Sequence, residues 1–302
     1  MDNRYYARLA PIIGACLLLG CVSPNPAPDV QKFADAVAVT ATSAAGAFDA
    51  VQAGYFEEQI SAIALQTNIE AFNPADIQPF LSADAIKARL DVLDVLKLYA
   101  AKLSVLCGNP SESNLDQATD KFASAMQKLD TNLVTASLLT SEKVTPQEID
   151  IFTTALNTVA DWIIERKESK EAKKTIIAMR KPVDDICSLL SSDLQRIHGQ
   201  LRAEYKQTRQ NDDDALIHSW PRLSPPERRE ELKNLEDLTV SVDKADSTIL
   251  SLRSAVSNLA VAHASLDDVF TKDKVKASEL IDDFRDQAQR ISKYYSSLGT
   301  NN

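Results

Sequence analysis

Residues 235–270, LEDLTVSVDKADSTILSLRSAVSNLAVAHASLDDVF, carry the most regular apolar pattern of the chain. The pattern advances in alternating steps of three and four residues through Leu235, Leu238, Val242, Ala245, Ile249, Leu252, Val256, Leu259, His263, Leu266 and Phe270. A repeat of this kind is typical of a helix that buries one stripe against other helices. It predicts a single helix over 226–270, about 67 Å long at ~1.5 Å per residue. His263 is the polar member of the stripe, where a buried polar side chain can set the register.

The rest of the chain follows the same helical spacing on both sides of this stretch. The last predicted helix, 273–298, repeats the stripe with Ala277, Ile281, Phe284, Ala288, Ile291, Tyr295 and Leu298. Upstream, apolar positions at helical spacing predict helices over 29–66, 83–107, 113–139, 146–181 and 183–209, separated by Pro, Gly or Asn. Ser82 is the predicted N-cap of the helix over 83–107.

These helices predict an all-α fold. Only 7 glycines and 6% aromatic residues occur in 302 residues, a composition that favours helices over sheets. Short connections place successive helices antiparallel, so we expect an elongated up-and-down helical bundle with long coiled-coil-like helices. We place the bundle at 29–209, a loop at 210–225, and at 226–302 a long helical hairpin that packs on the bundle or extends it.

The N-terminus has the character of a secretory signal. Arg4 and Arg8 precede LAPIIGACLLLG (9–20), an apolar stretch of 12 residues. A membrane-spanning helix needs ~20 apolar residues, so this stretch is too short to span a bilayer and is of the right size for a signal peptide. We therefore assign residues 1–20 to a signal peptide.

The end of this signal, Leu18-Leu19-Gly20-Cys21, resembles the lipobox of bacterial lipoproteins. The resemblance implies cleavage before Cys21 and acylation of that residue, which would anchor the chain to a membrane of the cell envelope. A second candidate at Cys16 has a much shorter apolar run before it. Because residue 22 is Val and not Asp, the resemblance also implies the outer membrane, with the protein facing the periplasm. Residues 21–28 contain three prolines and are predicted to form a stiff tether.

Two cysteines, Cys107 and Cys187, lie beyond the lipobox. An up-and-down arrangement places the end of the second helix and the start of the fifth at the same end of the bundle. That placement predicts a disulfide between the two thiols in an oxidising compartment. Free buried thiols and a cross-chain bridge remain alternatives.

No motif for catalysis, a metal or a cofactor is found in the sequence. The three histidines, His198, His218 and His263, lie far apart, and there is no Cys-x-x-Cys, phosphate-binding glycine loop or H-E-x-x-H. We therefore predict no catalytic residue, no metal ligand and no cofactor. A net charge of −10 repels phosphate backbones, so nucleic acid is not an expected partner.

One segment departs from the acidic character of the chain. Residues 165–181 contain seven basic side chains against three acidic ones, and the basic ones are Arg166, Lys167, Lys170, Lys173, Lys174, Arg180 and Lys181. If the bundle places this segment at the membrane-proximal end, its side chains could contact anionic head groups. An ordinary solvated helix with Glu–Lys pairs is the alternative.

Together these features predict a non-enzymatic, lipid-anchored envelope protein that acts as a helical scaffold or adaptor. Its partner would be an envelope protein or a second copy of the chain, contacted through the heptad faces of 226–270 and 273–298 if these are open. A membrane-active helical protein and a periplasmic binder of a small ligand are the alternatives.

Overall fold

The computed structural model describes residues 25–66, 73, 77–108, 172–270 and 274–299, and positions 151, 154, 155 and 157–159. Its long elements are α1 (Ala27–Ala64), α2 (Ala83–Gly108), α3 (Ala172–Ser219), α4 (Pro225–Ser265) and α5 (Lys274–Gly299), with a 3-10 turn (Asp268–Phe270) between α4 and α5. No strand occurs among the described residues, and the all-α prediction is confirmed. The helix predicted over 113–139 and most of the one over 146–181 lie outside the described residues.

Local sequence signals explain where the helices begin. The Ser82 hydroxyl accepts a hydrogen bond from the backbone N–H of Ala85 at 3.1 Å, which confirms the predicted N-cap of α2. At the start of α4, the Glu227 carboxylate accepts from the Ser224 backbone N–H at 2.7 Å, and Pro225 occupies the first turn. α1 begins at Ala27, so the last two residues of the predicted tether belong to the helix.

Contacts between side chains give the direction of each helix. Gln31 of α1 contacts Ser104 of α2, and Gln52 of α1 contacts Leu81 just before α2. Ser191 and Tyr205 of α3 contact Ser257 and Thr239 of α4. Phe33 of α1 contacts both His263 of α4 and Phe284 of α5. α1 is therefore antiparallel to α2 and α4, and α3 is antiparallel to α4. We call the end where α1, α3 and α5 begin the proximal end, and the end where α1 and α3 finish the distal end.

The hydrophobic core is one continuous cluster to which all five helices contribute. The positions of the apolar stripe from Leu238 in α4 to Leu266 just after it are buried. Leu235 and Phe270, at the two ends of the stripe, are half-buried. The stripe therefore packs inside the bundle from Leu238 to Leu266, and this part of the predicted contact surface is not open. The described side chains of α4 and α5 share the hydrophobic core of the other helices.

Small residues bring α1 close to α4. Gly54 lies so near α4 that an added Cβ would stand 2.9 Å from the Ala245 Cβ and 3.3 Å from the Ser241 carbonyl oxygen. Buried alanines, among them Ala44 and Ala47, continue this face toward the proximal end. Because these side chains are small, the backbones of α1 and α4 approach each other closely at Gly54.

The structure corrects two predicted breaks in α3. A helix end was expected before Pro182, but α3 continues through it, with Met179 and Val183 buried on either side. The burial of side chains before and after Pro182 outweighs the loss of the backbone hydrogen bond that proline cannot donate. The loop predicted for 210–225 is wrong up to Ser219, because Asp212 is buried and the Arg209–Asp213 ion pair continues the helix. The true connection is residues 220–224.

Candidate functional site

The first described part of the chain lies at the proximal end and begins at Asn25, four residues after Cys21 in the sequence; Cys21 itself lies outside the described residues. Lys274 donates a hydrogen bond to the Asn25 carbonyl oxygen at 3.0 Å and lies 3.5 Å from the buried carboxylate of Asp29. Lys32 joins the same group, 3.8 Å from Asp29 and 3.0 Å from Asp282 of α5. These contacts fix the first turns of α1 on the first turns of α5.

The predicted basic segment is described in part. Arg166, Lys167 and Lys170 lie outside the described residues, whereas Lys173, Lys174, Arg180 and Lys181 lie in the first turns of α3, at the proximal end. Arg180 donates to the Ala264 carbonyl oxygen and to the Asp267 carboxylate, and Lys181 pairs with Asp185 at 2.8 Å. Carboxylates therefore offset the charge of Arg180 and Lys181, and contact with lipid head groups stays a prediction.

The predicted disulfide is wrong in this structure, because Cys107 and Cys187 are both free. Arg89 of α2 contacts Asp193 of α3, and Cys107 lies about 27 Å along its helix from that contact while Cys187 lies only about 9 Å from it. The prediction assumed a helix starting near 183, but α3 starts at Ala172, so Cys187 lies far from the helix end. Burial raises the pKa of the Cys187 thiol and raises the pKa of Cys107 to about 11, so both are protonated at neutral pH.

Cys187 forms part of a shallow groove of about 430 Å³ between α3 and α4. The groove is lined by Asp184, Cys187, Ser188, Ser191, Ser192, Ser257, Ala260, Val261 and Ala264. Its hydroxyl groups bond to the helices themselves, since Ser191 and Ser257 contact each other at 3.1 Å and Ser192 donates to the Ser188 carbonyl oxygen at 2.9 Å. The groove therefore lies where α3 and α4 pack against each other through small side chains.

The histidines lie in three separate places. His263 is buried, and its Nε2 lies 2.7 Å from the Tyr99 hydroxyl, with the Phe33 ring 5.9 Å away. Burial, with a smaller effect of Arg180, lowers the pKa of His263 to about 3, so the imidazole is neutral at physiological pH. His198 pairs with Asp246 at 2.7 Å across α3 and α4, and His218 is exposed in the last turn of α3. His263 therefore joins α2 to α4 as a core residue, as its place in the stripe indicates.

Arg89 and Asp193 form a buried ion pair that the sequence analysis missed. The Arg89 guanidinium donates to both carboxylate oxygens, at 2.6 and 2.9 Å, and to the Ala85 carbonyl oxygen at 2.7 Å. Both side chains are less than one tenth exposed. A signal was present in the sequence, since Arg89 shares the buried face of Ala85 and Leu93, but the identity of its partner depends on the packing of α2 on α3.

The distal half of the bundle holds a second buried polar cluster and most of the exposed large apolar side chains of the described residues. Glu58 of α1 is buried and accepts a hydrogen bond from the Thr208 hydroxyl at 3.0 Å, and Asp212 accepts from Ser61 at 2.7 Å. Six of the ten exposed large apolar side chains of the described residues lie in this half of the bundle: Ile60, Leu65, Ile217, Trp220, Leu232 and Val240. Concentrated exposed apolar side chains are typical of contact surfaces.

Within the described part of the chain, no group of His, Cys, Asp and Glu side chains has the arrangement of a metal site. Among the described helices, none combines the length and the apolar character that crossing a bilayer requires. No protein-family model, curated protein or solved structure matches this chain.

Proposed function

We propose that this protein is a lipid-anchored envelope scaffold or adaptor, held to a membrane through Cys21 and binding a protein partner at its distal end. One observation carries the proposal. The described chain starts at the proximal end, whereas the exposed apolar side chains Ile217, Trp220 and Leu232 lie around the α3–α4 connection at the distal end. α4 alone is about 60 Å long, so an anchored bundle would present this tip far from the bilayer surface.

The tip has the mixed character of a protein contact surface. Ile217 is 69% exposed, Leu232 is 51% exposed, and Trp220 is 36% exposed with the Arg228 guanidinium 4.9 Å from its ring centroid. Arg228 also donates to the Trp220 carbonyl oxygen at 3.1 Å, which holds the short connection in place. Trp and Arg are the side chains that most often dominate binding energy at protein interfaces. A non-enzymatic role agrees with these features, since they offer surface and not reactive groups.

The anchor is tested by Cys21→Ser. We expect the variant to lose its membrane attachment or to stay unprocessed, because serine lacks the thiol that accepts the lipid. Fractionation of cells and metabolic labelling with a fatty acid measure both outcomes, and Cys16→Ser serves as the matched control because it keeps Cys21. Normal anchoring of Cys21→Ser, or loss of anchoring in Cys16→Ser alone, would contradict the proposal.

The partner surface is tested by a photo-crosslinking amino acid placed at residue 217 of the full chain in its native cells. We expect a discrete adduct from position 217 and none from position 275, where Val275 is 72% exposed at the proximal end. Adding Leu232→Asp should reduce the adduct at least about fivefold, since a charge inside a contact costs more than ~1 kcal/mol. An adduct with a second copy would identify a homo-oligomeric scaffold. Equal yields from both positions, or no adduct from position 217, would refute a distal contact surface.

A further inference from the structure

The last turns of α1 are fastened to α3 by two carboxyl groups that accept hydrogen bonds from hydroxyl groups. Glu58 Oε1 accepts from Thr208 at 3.0 Å, and one helical turn further on Asp212 Oδ2 accepts from Ser61 at 2.7 Å. Glu58 is only 1% exposed, and its Oε2 is buried without a hydrogen-bond partner among the described residues. A buried ionised carboxylate with a single hydroxyl donor is poorly stabilised, whereas the neutral acid is tolerated there.

Among the described residues, no cation compensates the charge of Glu58. On α3 its charged neighbour is Glu204, and on α1 its titratable neighbour is Tyr55, a half-buried phenol whose pKa is raised and which is therefore uncharged when Glu58 titrates. The segment before α2 presents Phe80, whose ring lies 5.1 Å from Tyr55, and α4 meets this part of α1 through Ser241 and Ala245, none of which carries a charge.

The basic side chain that acts on the cluster is Arg209. It pairs with Asp213 at 3.1 Å, and the carboxylate of the cluster whose charge it offsets is that of Asp212, not that of Glu58. Within the described part of the chain, Glu58 therefore faces a like charge and uncharged side chains, and its carboxyl group receives one hydrogen bond.

We infer that the contact between the last turns of α1 and α3 is a pH-sensitive clasp, closed while Glu58 carries a proton and loosened when it loses that proton. Burial, with a smaller contribution of Glu204, raises the pKa of Glu58 to about 7 from an ordinary 4.5. A raised carboxyl pKa stabilises the closed form fully below pH 4.5, and this stabilisation is lost as the pH rises to about 7. Burial likewise raises the pKa values of Glu204 and Asp212, so they act in the same direction.

Hydrogen exchange of the full chain tests the clasp at about pH 5 and about pH 8, with rates expressed as protection factors. We expect protection of residues 55–64 to fall at least about tenfold between these pH values, since one pKa unit corresponds to a tenfold change in the opening equilibrium. Residues 248–259 of α4, measured in the same samples, should show no such fall and thereby report that the bundle is intact.

Three variants identify the responsible group. Glu58→Gln should remove most of the fall, and Glu57→Gln, the adjacent and exposed glutamate, should leave it unchanged. Thr208→Val, which removes the hydroxyl that donates to the carboxylate, should enlarge the fall. Constant protection of residues 55–64 in the wild type, or a full-sized fall in Glu58→Gln, would overturn the clasp. The proposed partner surface is untouched by either result, because its test reads adducts at position 217.

Discussion

Arg89→Met is expected to lower the free energy of unfolding by about 3–5 kcal/mol, the cost of leaving one member of a buried ion pair without its partner. The substitution keeps an unbranched side chain in the same space and removes both hydrogen bonds to Asp193. Arg196 does not replace them, because its Nη2 lies 3.9 Å from the Asp193 carboxylate, beyond hydrogen-bond distance. Urea denaturation followed by far-ultraviolet circular dichroism measures the loss.

Two further variants separate charge from packing. Arg89→Met combined with Asp193→Leu should recover most of the lost stability, since no unpaired charge then remains in the interior. Lys87→Met removes the exposed Lys87–Asp91 pair of the same helix and should cost less than about 1 kcal/mol. A single Arg89→Met variant as stable as Lys87→Met would show that the buried pair contributes little to the fold.

The helices could be predicted because each depends on a pattern within its own segment. The bounds of α1, α2 and α5 fall within two residues of the predicted ones, and the seam of α4 is buried as its spacing indicates. The errors arose where local signals compete with packing. Pro182 and the polar residues 210–214 favour a break, but neighbours from other helices keep α3 continuous.

Contacts between helices could not be predicted, because they depend on how far each helix slides along its neighbour. The Cys107–Cys187 bridge required a register that the Arg89–Asp193 contact excludes. A one-turn shift moves a side chain by about 5.4 Å, which is enough to make or break a contact, and no pattern within one segment encodes that shift. For the same reason the bond between Glu58 and Thr208 has no signature in the sequence.

Acid conditions should destabilise the bundle through His263. Its pKa is about 3 in the folded protein and close to 6.5 when the chain is unfolded, so the unfolded state binds the proton first. The contribution of His263 to stability is complete above pH 6.5 and is lost as the pH falls toward 3, by about 1.4 kcal/mol for each pH unit. The physical cause is that the imidazolium would carry a charge in the core beside the rings of Tyr99 and Phe33.

His263→Gln should flatten this acid dependence, because the amide stays neutral and its oxygen can accept the hydrogen bond from Tyr99. His218→Gln, at an exposed position of α3, should leave the dependence as in the wild type. The measurement is the free energy of unfolding of each variant from pH 7 down to about pH 4.5. Over this range the wild type and His218→Gln should lose about 3 kcal/mol that His263→Gln retains. An unchanged slope in His263→Gln would mean that other groups govern the acid response. The effect is opposite in sign to that of Glu58, so the proximal part of the bundle weakens toward acid while the distal clasp weakens toward neutral pH.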